Sequence, residues 1–115
     1  FIDRVQDKDV WVMCSENNVI GVIGFDDEFG YWVTPAAWGQ GYATEAARAV
    51  LDWYFTKGAV KTQSRYLYGN APSANVLSKL GFREIGVETC SSRAAGENLP
   101  ARRVELTRAM WDTIR

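Results

Sequence analysis

From Trp11 to Glu16 apolar and polar residues alternate crudely, Asn17-Asn18 reads as a tight turn, and Val19 to Phe25 is rich in Val and Ile. That pattern predicts a β-hairpin. Gly21 and Gly24 interrupt the second arm and predict close backbone approach or a bulge. After the acidic turn Asp26-Asp27-Glu28, the run Phe29 to Thr34 reads as a third strand that stops at Pro35, which cannot donate to a ladder. The period then changes. Ala43, Ala47, Val50, Leu51 and Tyr54 line one helical face, Glu45, Arg48 and Asp52 occupy the opposite one, and Gly58 after Lys57 is a stop signal. Val60 to Gly69 reads as a weakly patterned strand, and Pro72 followed by Val76, Leu77 and Leu80 reads as a short second helix closed by Gly81. Phe82 to Cys90 and Arg102 to Thr107 read as two strands joined by a polar loop, Ser91 to Pro100. The predicted order is βββαβαββ, an α/β (α+β) chain with a mixed, mostly antiparallel central sheet and flanking helices.

Composition narrows the chemistry. The 115 residues carry 13 Lys and Arg against 14 Asp and Glu, a formal net charge of -1, and no histidine. A chain of this length buries roughly two-thirds of its unfolded surface and has room for one domain. Without imidazole, Ser-His-Asp hydrolysis, Cys-His proteolysis and His-ligated zinc are excluded. A catalyst here must use carboxylates, hydroxyls, thiols, lysines or backbone amides. Near-neutral charge argues against a nucleic-acid binder, and the arginines from Arg93 onward are interleaved with Glu97, Glu105 and Asp112 as a solvated face would have them. Cys14 and Cys90 form no ligand-spaced cluster, so no metal is expected and a reduced, cytoplasmic protein is. No apolar stretch approaches the roughly 20 residues that span a bilayer.

The most informative segment is Pro35 to Glu45, lying between a predicted strand and an amphipathic helix. Small residues there let the backbone approach a ligand, and the N–H groups of a helix start suit phosphate or pyrophosphate. A Walker A loop does not fit, because the chain has no Gly-Lys pair. The dinucleotide fingerprint fits poorly, because Thr44 stands in the place of its third glycine. Taken alone, the loop is equally a ligand cradle or an empty strand-to-helix turn.

The string Trp38-Gly39-Gln40-Gly41-Tyr42-Ala43-Thr44-Glu45-Ala46 resembles the acetyl-CoA loop of the GCN5-related N-acetyltransferase superfamily. Within it, the subgroup of the ribosomal-protein alanine acetyltransferases RimJ and RimL often carries a tryptophan where Arg or Gln is usual, as Trp38 does here. Downstream, Asn70 to Phe82 looks like that subgroup's N-x-x-S-x-x-V-L-x-K-L-G-F, and Val104 to Trp111 resembles its final strand and Trp-ending tail. The three matches cover about residues 20 to 111.

The resemblance implies acetyl-CoA as co-substrate and direct acetyl transfer to a primary amine. The acceptor would be a protein N-terminus or a small molecule such as an aminoglycoside. Such a transfer needs a polarised carbonyl, a deprotonated amine and a protonated leaving thiolate. By family position, backbone groups of Trp32, Val33 and Thr34 on a splayed third strand would hold the pantetheine and thioester oxygen. The amides of Gly39, Gln40, Gly41, Tyr42 and Ala43, in the loop that runs from Trp38 to Thr44, would hold the pyrophosphate, and Asn70 the pantetheine arm. Glu28 is the candidate base, or else a solvated turn residue beside Asp26 and Asp27. Where many family members place an acidic tyrosine this chain has Leu77, which moves the candidate acid to Ser73, with Ser78 second and Tyr31 and Tyr68 as further donors. Ser73 also suits helix capping or a cofactor hydrogen bond. Trp53 and Trp111 read as packing residues, whereas Trp32 and Trp38 flank the implied site.

The family fold begins with a strand and two helices before the hairpin, and here at most ten residues precede Trp11. The resemblance therefore implies one acetyltransferase-like domain over residues 1–115, N-terminally truncated, whose exposed sheet edge favours a homodimer or larger assembly. A non-catalytic acyl-CoA-binding or assembly module and a purely structural domain are the competing readings.

Overall fold

The computed structural model describes residues 2–92 and 97–114. Contacts divide the chain into two compact units, Phe1–Ala59 and Val60–Arg115. The first holds strands β1 (Ile2–Arg4), β2 (Val10–Ser15), β3 (Asn18–Asp26) and β4 (Glu28–Val33), a single 3-10 turn (Pro35–Ala37) and helix α1 (Tyr42–Thr56). The second holds β5 (Lys61–Leu67), α2 (Ala71–Lys79), β6 (Arg83–Ser92), β7 (Glu97–Thr107) and α3 (Arg108–Ile114). The predicted α/β class stands, with every strand pair among the described residues antiparallel.

In the first unit the sheet is a meander in the order β1-β2-β3-β4. Period-2 alternation turns Trp11, Met13, Ile23, Phe29 and Val33 inward, and α1 packs on β3 and β4 with Ala46, Ala47, Val50, Leu51 and Phe55 buried. Phe25 stacks on Tyr54 at 4.0 Å between ring centroids, and Trp11 meets Trp53 edge to face at 4.8 Å. The glycine interruption in β3 has the expected cause. A Cβ on Gly21 would run into the Trp32 carbonyl oxygen and lie 2.7 Å from Met13 Cε, so only glycine lets β4 come this close. A bulge between Met13 and Cys14 lies across from it.

Two details differ from the sequence reading of this unit. The hairpin turn is Glu16-Asn17, not Asn17-Asn18, with Ser15 paired to Asn18 and φ of 49° and 69° at the two central residues. Both central residues of this turn type need positive φ, and a flanking Asn18 in the ladder is invisible to composition. β1 is an addition: it pairs Ile2 with Met13 and Arg4 with Trp11, covering part of the β2 edge on which the expected assembly was argued.

The second unit's sheet runs β5-β7-β6, with Thr62, Ser64, Ala101, Val104 and Leu106 buried. The face carrying Gln63, Arg65, Glu88, Arg103 and Glu105 is an ion network: Arg103 donates to both oxygens of Glu88 at 3.0 and 3.1 Å and to Gln63 at 3.1 Å, and Gln63 donates to Glu105 at 3.0 Å. The polar loop expected from Ser91 to Pro100 is largely strand. β6 runs to Ser92, β7 begins at Glu97, and the two stay paired through Cys90–Leu99 and Ser92–Glu97. Such polar pairs have no hydrophobic alternation to announce them, since the ladder itself holds the register. Residues 93–96 of that expected loop lie outside the described residues. The tail after Thr107, for which the sequence reading offers no conformation, is helical, with Trp111 buried at 4% exposure and Thr107 Oγ1 accepting from Met110 N–H at 3.2 Å.

Candidate functional site

In the first unit the candidate site is built from the end of β4 and the loop that turns the chain into α1. The loop is held by its own backbone. Ala37 N–H donates to Thr34 O at 2.9 Å, Trp38 N–H to Pro35 O at 3.2 Å, and the Gln40 side chain to Ala36 O at 3.3 Å. Gly39 and Gly41 then take φ of 75° and 78°, left-handed values that a side chain strains to adopt, and a Cβ on either would meet open space. The first helical bond, Glu45 N–H to Gly41 O, is 3.0 Å, so the amides of residues 42 to 44 precede the helical ladder. Because the N-cap is Gly41, no side chain caps that first turn. A glycine turn without a side-chain cap, at the positive end of a fifteen-residue helix, is the kind of helix start whose field favours an anionic group.

Along β4 the backbone geometry sorts the three expected residues. Thr34 N–H donates to Ile20 O at 2.7 Å and its carbonyl accepts from Ala37, so both its backbone groups are engaged within the unit. The register Val22–Trp32 continues that pairing, and the alternation of an antiparallel ladder points the Trp32 amide toward β3 as well. Val33 alternates outward, to the edge that no other strand of its sheet covers among the described residues. Its carbonyl accepts the Trp38 indole N–H at 2.7 Å, and its own N–H has no partner among the described residues although the residue is only 8% exposed. Of Trp32, Val33 and Thr34, therefore, Val33 alone presents a backbone donor at that edge. The rings of Trp32 and Trp38 are 60% and 64% exposed.

Glu28 is half-buried at the opposite end of β4, across the Asp27 turn from Asp26. Five residues of extended chain place it roughly 17 Å from Val33, so its carboxylate does not reach a group held there directly. In the second unit, Asn70 is the N-cap of α2 and its Oδ1 accepts from Ser73 N–H at 3.2 Å, with Pro72 in the first turn. The side-chain cap of α2 is thus supplied by Asn70. The cap uses the Asn70 oxygen and leaves its amide nitrogen to donate. Leu77 is buried at 2% exposure, a core position in which a tyrosine acid has no counterpart, while Ser78 is exposed on α2. Tyr31 lies half-buried on β4, and Tyr68 lies under the Arg102 guanidinium at 4.7 Å. The Glu84 hydrogen bond and charge hold Arg102 above its usual value. Cys14 and Cys90 are both free and strand-borne; among the described residues no His/Cys/Asp/Glu cluster able to hold a metal occurs and no helix is long and apolar enough to cross a membrane.

A glycine-built loop between an edge strand and a long amphipathic helix, in an antiparallel α/β chain, defines the class of fold. The chain belongs to the acetyltransferase (GNAT) domain family, whose model matches residues 2–83. It is 29% identical over 94 residues to an uncharacterized N-acetyltransferase p20 of Bacillus licheniformis, spanning 74% of this chain and about half, 53%, of that protein. Among solved structures it superposes on the ribosomal-protein-S5-alanine acetyltransferase of Vibrio fischeri with a TM-score of 0.81, at 21% identity, covering 89% of this chain and 62% of that one. The self-immunity acetyltransferase MccE of microcin C7, solved with acetyl-CoA and AMP, superposes with a TM-score of 0.75 at 18% identity, covering 85% and 59%.

Proposed function

We propose that this chain is the acetyl-CoA-binding portion of an N-acetyltransferase that moves an acetyl group directly to a primary amine. One observation carries the reading: within a single unit, the uncapped glycine start of α1 and the unpartnered Val33 N–H offer amides suited to a pyrophosphate and to an acyl carbonyl. Family membership and the MccE complex with acetyl-CoA support the identity of the ligand.

In the transfer, the amine attacks the thioester carbonyl, the C–S bond breaks, the thiolate leaves with a proton and the amine gives one up. The amides of residues 39–43 bind and orient the diphosphate, Val33 N–H polarises the acyl oxygen, and Asn70 donates to the pantetheine arm. Glu28 stands as the candidate base, but the roughly 17 Å of strand between it and Val33 is more than one water spans, so it serves only through a relay of several waters. Ser73 is assigned as proton donor to the thiolate. The acceptor we favour is a protein N-terminus, after the Vibrio fischeri relative. We also propose assembly through a sheet edge, since β6 ends its sheet with Ile85 and Val87 at 49% and 61% exposure; a monomer by light scattering at micromolar concentration would overturn this.

The test is calorimetric titration with acetyl-CoA followed by thiol release against alanine-ended peptides and small amines. Binding with peptide-dependent release is the expected result. Release with small amines alone reassigns the acceptor, and binding without release supports a non-catalytic module, the alternative that the absent tyrosine at Leu77 favours.

A further inference from the structure

The indole of Trp38 seats a side-chain donor on the outward face of β4, and its bond to the Val33 carbonyl is short, 2.7 Å, although the ring is 64% exposed. An ordinary strand edge offers an outward N–H and an outward C=O from the same residue, the pair that another strand or a peptide amide recognises. Here the acceptor half of that pair is taken. What remains at Val33 is its N–H, directed by ladder parity to an edge where no strand of its sheet supplies an acceptor among the described residues.

We infer that Trp38 is a positioning and specificity-determining residue. By occupying the Val33 carbonyl it converts the end of β4 into a donor-only edge, which accepts an acyl carbonyl that has no N–H of its own. A thioester is such a group, with sulfur where an amide has N–H, whereas a peptide strand must leave its N–H unpaired at this point. The same bond ties the loop after Thr34 back to the strand, fixing where Gly39 and Gly41 begin relative to Val33. The inference rests on the acetyl-CoA reading above and adds to it the role of a side chain outside the glycine cradle.

The test uses the full chain, 15N-labelled, with two probes: acetyl-CoA and adenosine 3′,5′-bisphosphate, which carries the nucleotide half without the thioester. In the wild type the Val33 amide resonance should shift with acetyl-CoA and not with the bisphosphate, while the Trp38 indole N–H stays protected from exchange. Trp38→Phe keeps a ring and removes the donor. It should raise the Kd for acetyl-CoA three- to tenfold and leave the bisphosphate within twofold. Val33→Pro removes the outward N–H at a position where an edge strand tolerates proline, and should weaken acetyl-CoA at least about tenfold with the same selectivity. Equal weakening of both probes by Trp38→Phe, or none, overturns the inference, as does a wild-type Val33 amide indifferent to acetyl-CoA. Failure of the wild type to bind either probe overturns the acetyl-CoA reading itself.

Discussion

Two strand-to-helix junctions in this chain solve the same problem in opposite ways. At α2 the chain supplies its own cap: Asn70 Oδ1 accepts from Ser73 N–H and Pro72 removes one donor from the first turn. At α1 it supplies glycine, left-handed at Gly39 and Gly41, and no side chain closes the turn. A capped helix start is finished within the fold. An uncapped one, at the head of the longer helix and beside a strand edge with its own open donor, is built to be finished by something else. The difference is why the proposed function puts the pyrophosphate at α1, and it gives the Asn70 cap of α2 a role in stability.

The strongest way to break that comparison is Gly41→Val. A β-branched residue held at φ of 78° costs about 1–3 kcal/mol, and acetyl-CoA affinity should fall at least about tenfold beyond any loss in melting temperature. Unchanged affinity in a folded variant would show the cradle to be an empty turn. At the second junction, Asn70→Ala should cost about 1 kcal/mol of stability by denaturant titration. Asn70→Asp sharpens the point, because it keeps the capping oxygen and removes the amide donor: stability should hold and acetyl-CoA affinity drop severalfold. Should both properties hold, Asn70 is a cap only.

Gly39→Ala is milder. Its Cβ would meet open space, so the cost is the left-handed conformation alone, about 1 kcal/mol in stability, with affinity falling less than in Gly41→Val. The smallest effect is expected for Ser73→Ala. The cap uses the backbone N–H of residue 73, which alanine keeps, so thiol release should slow with the cap intact if the hydroxyl protonates the leaving group. A Ser73→Ala variant that turns over normally removes it from the chemistry.

The regular elements were legible because they carry their period in apolar residues. The α1 stripe through Ala47, Val50 and Leu51 is buried as its spacing requires, and the β3 glycines mark the close approach they imply. The polar reach of the β6–β7 pair, Cys90 to Ser92 against Glu97 to Leu99, was not legible, because backbone pairing alone defines it. Nor was β1, three residues long and half exposed. In the site, the string from Trp38 to Thr44 pointed to the cradle, but which amides face outward is a matter of ladder parity. No residue type encodes that the Thr34 N–H turns toward β3 and the Val33 N–H away from it. The Trp38 indole bond was equally hidden, although the tryptophan itself, standing in a place usual for Arg or Gln, was the signal that something at that position differed.

The two sheets also differ in how far apart in sequence their partners lie, which bears on the order in which the molecule assembles. The first sheet joins only neighbours in the chain, β1 to β2 to β3 to β4, so each pairing closes a short loop. The second must bring Lys61 to Thr107 across all the chain between them, α2 and β6 included, before its central strand has both partners. Because loop-closure entropy is lost before distant contacts compensate it, the meander should zip first and the β5–β7 pairing last. Hydrogen exchange pulsed during refolding would then protect the amides of β2 and β3 ahead of those of β5, leaving the cradle at α1 attached to the part of the chain that is ready earliest.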